Sequence, residues 1–280
     1  MGGVKGTGAV DSAREQALRE EMIQVCRLLY QKNLIAAVDG NVSARLGESY
    51  LLTTPSGLCK GLMRPEDLVV TDLSGQLAPG EVAPHNGLKP SAELRLHLEI
   101  YRQRPDVCAV VHAHPPITTA LTVAGVSLAP CVLPETLVTL GTILTTEYAT
   151  PTSAQVPVVV RELIQDHDAL VLDRHGAVTV GRSLIDAYAK MEKVENTAVV
   201  IATARLLGRV KTLPVEEVRR LSARRSEHLG RSYKGPDCEL CGACEGLSGT
   251  AKRLPSEAEG DMEGLVRLVT EHVLLRLGRL

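Results

Sequence analysis

The sequence predicts an α/β fold of the layered, α+β kind, and three observations carry that expectation. Strand-like runs of Val, Ile, Leu and Thr interleave along most of the chain with segments of helical period. The core must be aliphatic, because 44% of residues are hydrophobic but only 2% are aromatic, with no Trp and no Phe. The 280 residues suffice for one large domain or two small ones.

The elements follow in order. Residues 1–10 are glycine-rich and read as a flexible N-terminus. Asp11 and Ser12 can cap a helix reaching to about Lys32, with Leu18, Met22, Val25 and Leu29 at helical spacing. A turn-rich segment, AAVDGNVSARLG, reads as loop and strand, and YLLTTPSG and DLVVTDLSG as strands bounded by turns. Ser91 opens a helix, SAELRLHLEIYRQ, that stops before Pro105. VCAVVHAH is a strand, and the prolines of PPITTALTVAG start the next helix, where a missing N–H costs nothing. Residues 156–166 read as helix, ALVLDRHGAVTVG as strand, turn, strand. Residues 183–208 form a long helix with Ile185, Tyr188, Ala189, Val194 and Val199 as apolar positions. This domain runs over 11–213.

Residues 214–257 change character: a charged stretch, helical or exposed, leads into a Cys- and Gly-rich linker. Within it CELCGAC spaces Cys238, Cys241 and Cys244 as C-x2-C-x2-C. That spacing suits a zinc or part of an iron–sulfur cluster with a fourth ligand such as His228, or equally free thiols in a linker. Residues 258–280 regain helical period, with Met262, Leu265, Val266, Val269, Val273 and Leu277 on one face. An amphipathic helix on a tether suits docking to a partner, or packing on its own domain.

A net charge of −2 gives no support for nucleic-acid binding, and scarce aromatics leave no stacking platform. No secretory signal and no apolar run of membrane-spanning length is visible, so seven cysteines are expected as free thiols in a reducing cytoplasm. Cys26, Cys59, Cys108 and Cys131 are expected as small buried apolar residues.

The chemistry concentrates at VVHAHPP. Side chains at i and i+2 of a strand share a face, so His112 and His114 project together from rigid backbone, a pairing that suits Zn²⁺. Their alternative is a pair of polar residues at a strand end. His175, in a strand-to-strand turn, is the best third ligand. Glu93, in a helix first turn, either complements the helix dipole or faces the metal as ligand or base. His97, four residues on, reads as a surface histidine, with support behind the metal as the alternative.

Taken together, GNVSAR (40–45), TTPSG (53–57), KPSAELRLH (89–97), PDVCAVVHAHPP (105–116), EYAT (147–150) and DRHGAVTVG (173–181) resemble the class II aldolase/adducin family, most closely its fuculose-phosphate aldolase type, over about residues 12–210. The resemblance implies a three-layer domain with a central, mostly antiparallel sheet flanked by helices. It implies one Zn²⁺ per subunit on His112, His114, His175 and Glu93, with Glu93 then serving as acid/base. Gly40, Asn41, Ser56, Gly57 and Ser91 match phosphate-pocket positions, and Tyr148 a tyrosine that helps protonate an aldehyde oxygen. Where the family's aldolases often carry a second hydroxyl this chain has Ala92, leaving its backbone N–H as donor.

The implied activity is cleavage of a ketose 1-phosphate, L-fuculose 1-phosphate or L-rhamnulose 1-phosphate, to dihydroxyacetone phosphate and L-lactaldehyde, without a Schiff-base lysine. A metal stabilises the enediolate and a carboxylate moves the proton. The family alternatives are a pentulose-phosphate 4-epimerase, which tends to carry Asp at the Glu93 position, and a methylthioribulose-phosphate dehydratase, which keeps the Glu and three histidines. A non-enzymatic adducin-like binding module would lack the histidines. Family members commonly form homotetramers with sites between subunits. Residues 258–280 resemble the encapsulation peptides of bacterial microcompartment enzymes, implying shell proteins as partners and the compartment lumen as a location.

Overall fold

A computed structural model describes residues 12–78 and 87–229. The readings placed on 1–11, on Cys238, Cys241 and Cys244, and on 258–280 lie outside the described residues.

Helix α1 (Ser12–Gln31) opens the domain and buries Met22, Ile23, Val25, Cys26 and Leu29. Strands β1 (Asn41–Leu46), β2 (Tyr50–Thr53) and β3 (Val69–Asp72) form an antiparallel meander. Two short 3-10 turns, Lys60–Leu62 and Pro65–Asp67, lie between β2 and β3. Then follow α2 (Leu94–Gln103), β4 (Ala109–Ala113), α3 (Pro116–Val123), α4 (Pro134–Thr139) and the two-residue β5 (Leu144–Thr145). Helix α5 (Gln155–Arg161), β6 (Ala169–Leu172), β7 (Gly176–Gly181), α6 (Leu184–Leu207) and α7 (Val215–Leu229) complete the order.

The strands make one seven-stranded sheet, ordered β3-β2-β1-β4-β7-β6-β5, in which only β5–β6 is parallel. Strand β4 is central, paired with β1 and β7, and all five of its residues are buried. A strand covered on both faces cannot alternate polar and apolar, hence the continuous AVVHA. Ala109, Val111 and Ala113 pack into the aliphatic cluster that holds α1 and α6, whereas Val110 packs with residues of α2 and α5. His112 shares the parity of Val110 and so points toward the α2 side. The result is helix, sheet, helix: the layered fold with a mostly antiparallel sheet that the sequence predicts.

Several local expectations are corrected. The helix expected to open at Ser91 begins at Leu94, because the Ser91 N–H bonds back to the Thr54 carbonyl at 3.2 Å and holds 91–93 in a turn. On α6, Ile185 and Val199 are 43% and 42% exposed. Ser183 caps the helix by accepting the Asp186 N–H, and the stripe facing the sheet is Leu184, Ala187, Tyr188, Met191, Val194, Ala198 and Ile201. With apolar residues on several sides of this helix, period alone did not select that face. Cys26 and Cys131 are buried as expected, but Cys59 is half-buried and Cys108, just ahead of β4, is exposed.

Prolines do start α3, with Pro116 in its first turn. The freed N–H groups of that turn are taken by Glu195 of α6, whose carboxylate accepts from the Ile117 and Thr118 N–H groups at 2.9 Å each and from the Thr118 hydroxyl at 2.7 Å. The chain leaving His114 is thereby fixed to the longest helix of the domain. No helix among the described residues is long and apolar enough to cross a membrane.

Candidate metal centre

Three segments meet at the end of β4. His112 is its fourth residue and His114 the first residue beyond it, held by its N–H on the Leu34 carbonyl at 2.9 Å. His175 sits in the tight turn between β6 and β7, with its N–H on the Leu172 carbonyl at 3.0 Å. Glu93 occupies the N-cap position of α2. Glu93, His112, His114 and His175 each aim one ligand atom inward, and these atoms all lie within 4.8 Å of one another. The three rings are related almost by a threefold axis: centroids are 4.8–4.9 Å apart and the planes meet at 62–63° in every pair.

Glycine makes this approach possible. A Cβ on Gly176 would strike the Ala113 carbonyl oxygen and come within 3.0 Å of the His114 ring. Gly40, at φ +70°, lets the chain turn into β1 where a Cβ would lie 2.9 Å from the His112 carbonyl. Replacing Gly176 by Ala is therefore expected to displace His114, cost about 1–3 kcal/mol of stability, and lower the metal bound per subunit. Thermal unfolding with elemental analysis checks both.

The donor set is chemically that of a cation site. His112 Nδ1–H donates to the Ala177 carbonyl at 2.9 Å, which turns Nε2 into the cluster. That Nε2 lies 3.1 Å from Nε2 of His114 and 3.3 Å from Glu93 Oε2, and His175 Nε2 lies 3.1 Å from Glu93 Oε1. Burial, then the neighbouring His112 and His175, lowers the His114 pKa to about 3. Burial alone would raise the Glu93 pKa, but hydrogen bonds to His112 and His175 outweigh it and hold the carboxyl well below the ordinary range. Three imidazole nitrogens and a carboxylate converging on one point are the donor set that suits a divalent cation.

The turns expected to hold phosphate also gather here. Asn41 Nδ2 donates to Glu93 Oε2 at 3.1 Å, and Asn41 pairs with His112 across β1–β4. The 54–57 and 89–91 turns are joined by the Pro55–Pro90 bridge and by the Ser56 N–H on the Lys89 carbonyl at 2.9 Å. Ser91 Oγ accepts the Glu93 N–H at 3.3 Å, which ties the 89–91 turn to Glu93. Tyr148 is different: it is 57% exposed, and among the described residues no hydrogen bond or ion pair ties it to the cluster.

His97 is corrected outright. It is 1% exposed, its Nδ1 lies 2.6 Å from the Ser43 hydroxyl, and that hydroxyl lies 3.0 Å from the Tyr101 hydroxyl. Burial lowers its pKa to about 3, so it stands neutral beneath the centre. Two more groups escaped sequence reasoning: Asp39, whose carboxylate is 3.6 Å from His114 Nδ1, and Lys60, buried with its Nζ on the Val38 and Leu58 carbonyls. An isolated Asp or Lys in a turn carries no signal of either position.

The family model described as the class II aldolase and adducin N-terminal domain matches residues 20–201. An L-fuculose phosphate aldolase of Methanococcus maripaludis is 35% identical over 178 residues, covering 64% of this chain and 92% of its own. A 3-oxo-tetronate 4-phosphate decarboxylase of Escherichia coli is 34% identical over 191 residues, covering 67% and 87%. Among solved structures, YgbL from Escherichia coli superposes with a TM-score of 0.66 at 32% identity, over 74% of this chain and 99% of that one.

Proposed function

We propose that this chain, which belongs to the class II aldolase and adducin family, works as a zinc-dependent lyase on a phosphorylated sugar, cleaving a ketose 1-phosphate such as L-fuculose 1-phosphate or L-rhamnulose 1-phosphate. The observation that carries this reading is the convergence of Glu93 with the three imidazoles on one point. All three histidines that a non-enzymatic relative would lack are in place.

In this reading His112, His114, His175 and Glu93 hold one Zn²⁺ per subunit. A bound divalent ion supplies Lewis-acid stabilisation of the negative charge that develops on the substrate as the carbon–carbon bond breaks. The chain's own residues do the rest. Backbone N–H groups at Gly40, Gly57 and Ala92, with the side chains of Asn41, Ser56 and Ser91, bind and orient the phosphate. Glu93 carries the proton to the carbon that ends as dihydroxyacetone phosphate. Tyr148 takes the proton from the hydroxyl that becomes the aldehyde oxygen as the carbon–carbon bond breaks, returning it in the reverse direction, and its exposure suits a site completed between subunits of a homotetramer. Residues 258–280 would dock to microcompartment shell proteins.

A panel assay of the zinc-loaded protein tests the reading: ketose 1-phosphates are expected to yield dihydroxyacetone phosphate. A second reading, decarboxylation of a 3-oxo-tetronate 4-phosphate, is favoured by the 34%-identical relative, which covers 67% of the chain. It predicts carbon dioxide release from that substrate and no aldol cleavage. If the metal-loaded protein acts on neither class, both fail.

A further inference from the structure

Lys60 opens the first 3-10 turn, yet it is 2% exposed. Its Nζ donates to the Val38 carbonyl at 2.6 Å and to the Leu58 carbonyl at 3.0 Å. Among the described residues no carboxylate forms an ion pair with it. Burial of an ammonium held only by neutral carbonyls is costly, and burial accordingly lowers its pKa. The two carbonyls are informative. Val38 stands two residues before Gly40, and Leu58 directly follows Gly57. One side chain therefore ties together the two turns assigned to the phosphate. Asp39 and Glu93, at the centre, act on its charge and favour the ammonium form.

We propose that Lys60 is a positioning residue of the anion pocket, specific for a phosphate monoester dianion. It fixes the separation of the 38–41 and 56–58 turns and places a buried positive charge behind their outward N–H groups. This deepens the reading above and rests on it. A positive charge without a carboxylate partner inside the protein is matched when a dianion arrives at those turns, because in a water-poor site the attraction acts at longer range than at a surface. It also answers the loss of a hydroxyl at Ala92: where a side-chain donor is absent, a fixed charge strengthens the remaining N–H donors.

The test uses the zinc-loaded full chain with inorganic phosphate as probe, its Kd measured by calorimetry for wild type, Lys60→Met, Lys60→Gln and Lys60→Arg. Lys60→Met keeps the length of the side chain and removes the charge; Lys60→Gln serves if the Met variant does not fold. Phosphate Kd is expected to rise at least tenfold in the neutral variants and to return toward wild type with Arg, while zinc per subunit stays unchanged. With a ketose 1-phosphate substrate, KM rises and kcat changes by less than threefold, a split that general loosening of the fold would not give. Neutral variants that bind phosphate within twofold of wild type overturn the role of Lys60 alone. A wild type that holds zinc but does not bind phosphate overturns the phosphate reading together with it. Loss of zinc in parallel with loss of phosphate also overturns the proposal, because Lys60 would then support the metal centre.

Discussion

Replacing Glu93 by glutamine is expected to reduce turnover by about 10²–10⁴-fold, the range for loss of one positioned acid/base, in a protein that still folds. The carboxylate lies 3.3 and 3.1 Å from His112 and His175 and accepts from Asn41 at 3.1 Å, so it faces the centre, where in the proposed cleavage it would give its proton to the carbon that becomes nucleophilic. Glutamine has the same length and keeps an oxygen for Asn41, but it cannot take a proton and is a poorer ligand. Zinc affinity should fall as well, because one of the four ligands is weakened, but three imidazoles remain to hold the ion. Turnover at saturating zinc separates the two effects. Undiminished turnover in the zinc-loaded Glu93→Gln protein would remove Glu93 from the chemistry.

The way Glu93, His112, His114 and His175 come together explains how much of the centre was legible in the sequence. Strand alternation alone places His112 and His114 on one face, and a hairpin turn places His175 at a strand end, so both are local consequences of period and turn chemistry. Their meeting is not local. It depends on β4 lying between β1 and β7 and on α2 delivering Glu93 across the sheet, which the family resemblance supplied and spacing could not. His97 shows the limit. Its place on α2 fixes its face, but its burial depends on how α2 seats on β1, where Ser43 and Tyr101 supply polar partners. Likewise α6 carries Leu184, Ile185, Val199 and Val200, and only contact with the sheet decides that Leu184 goes inside and the other three are exposed. Lys60 is the extreme case. A lone lysine in a turn is solvated by default, and only tertiary structure wraps two carbonyls around it.

Asp168→Asn is expected to be the most destabilising conservative change in the described domain, costing about 3 kcal/mol, near the low end for breaking a buried ion pair. Asp168 is 3% exposed just ahead of β6, and three cations from separate elements address it. Arg104, past the end of α2, lies 3.0 Å from Oδ1, and Lys190 of α6 and Arg225 of α7 lie 3.2 and 3.8 Å from Oδ2. Asparagine preserves shape but leaves these cations facing a neutral group. The cost stays near the low end because Arg104 keeps Asp106 and the Ile164 carbonyl, and Lys190 keeps Asp186 and the Val180 carbonyl. Burial pushes the Asp168 pKa up, but Lys190, Arg104 and Arg225 outweigh it and hold the folded value below the ordinary one. A carboxyl whose pKa is depressed by folding contributes its stability above the unfolded value, about 3.9, and loses it as the pH falls through the folded value. The gap between wild type and Asp168→Asn should therefore be full at pH 7 and close progressively below about pH 4. Denaturant unfolding across that range measures it. Because Asp168 lies at the opposite end of β6 from His175, turnover per folded, zinc-loaded molecule should be unchanged at pH 7. A loss of turnover without a loss of stability would mean that this charge cluster serves the site rather than the fold.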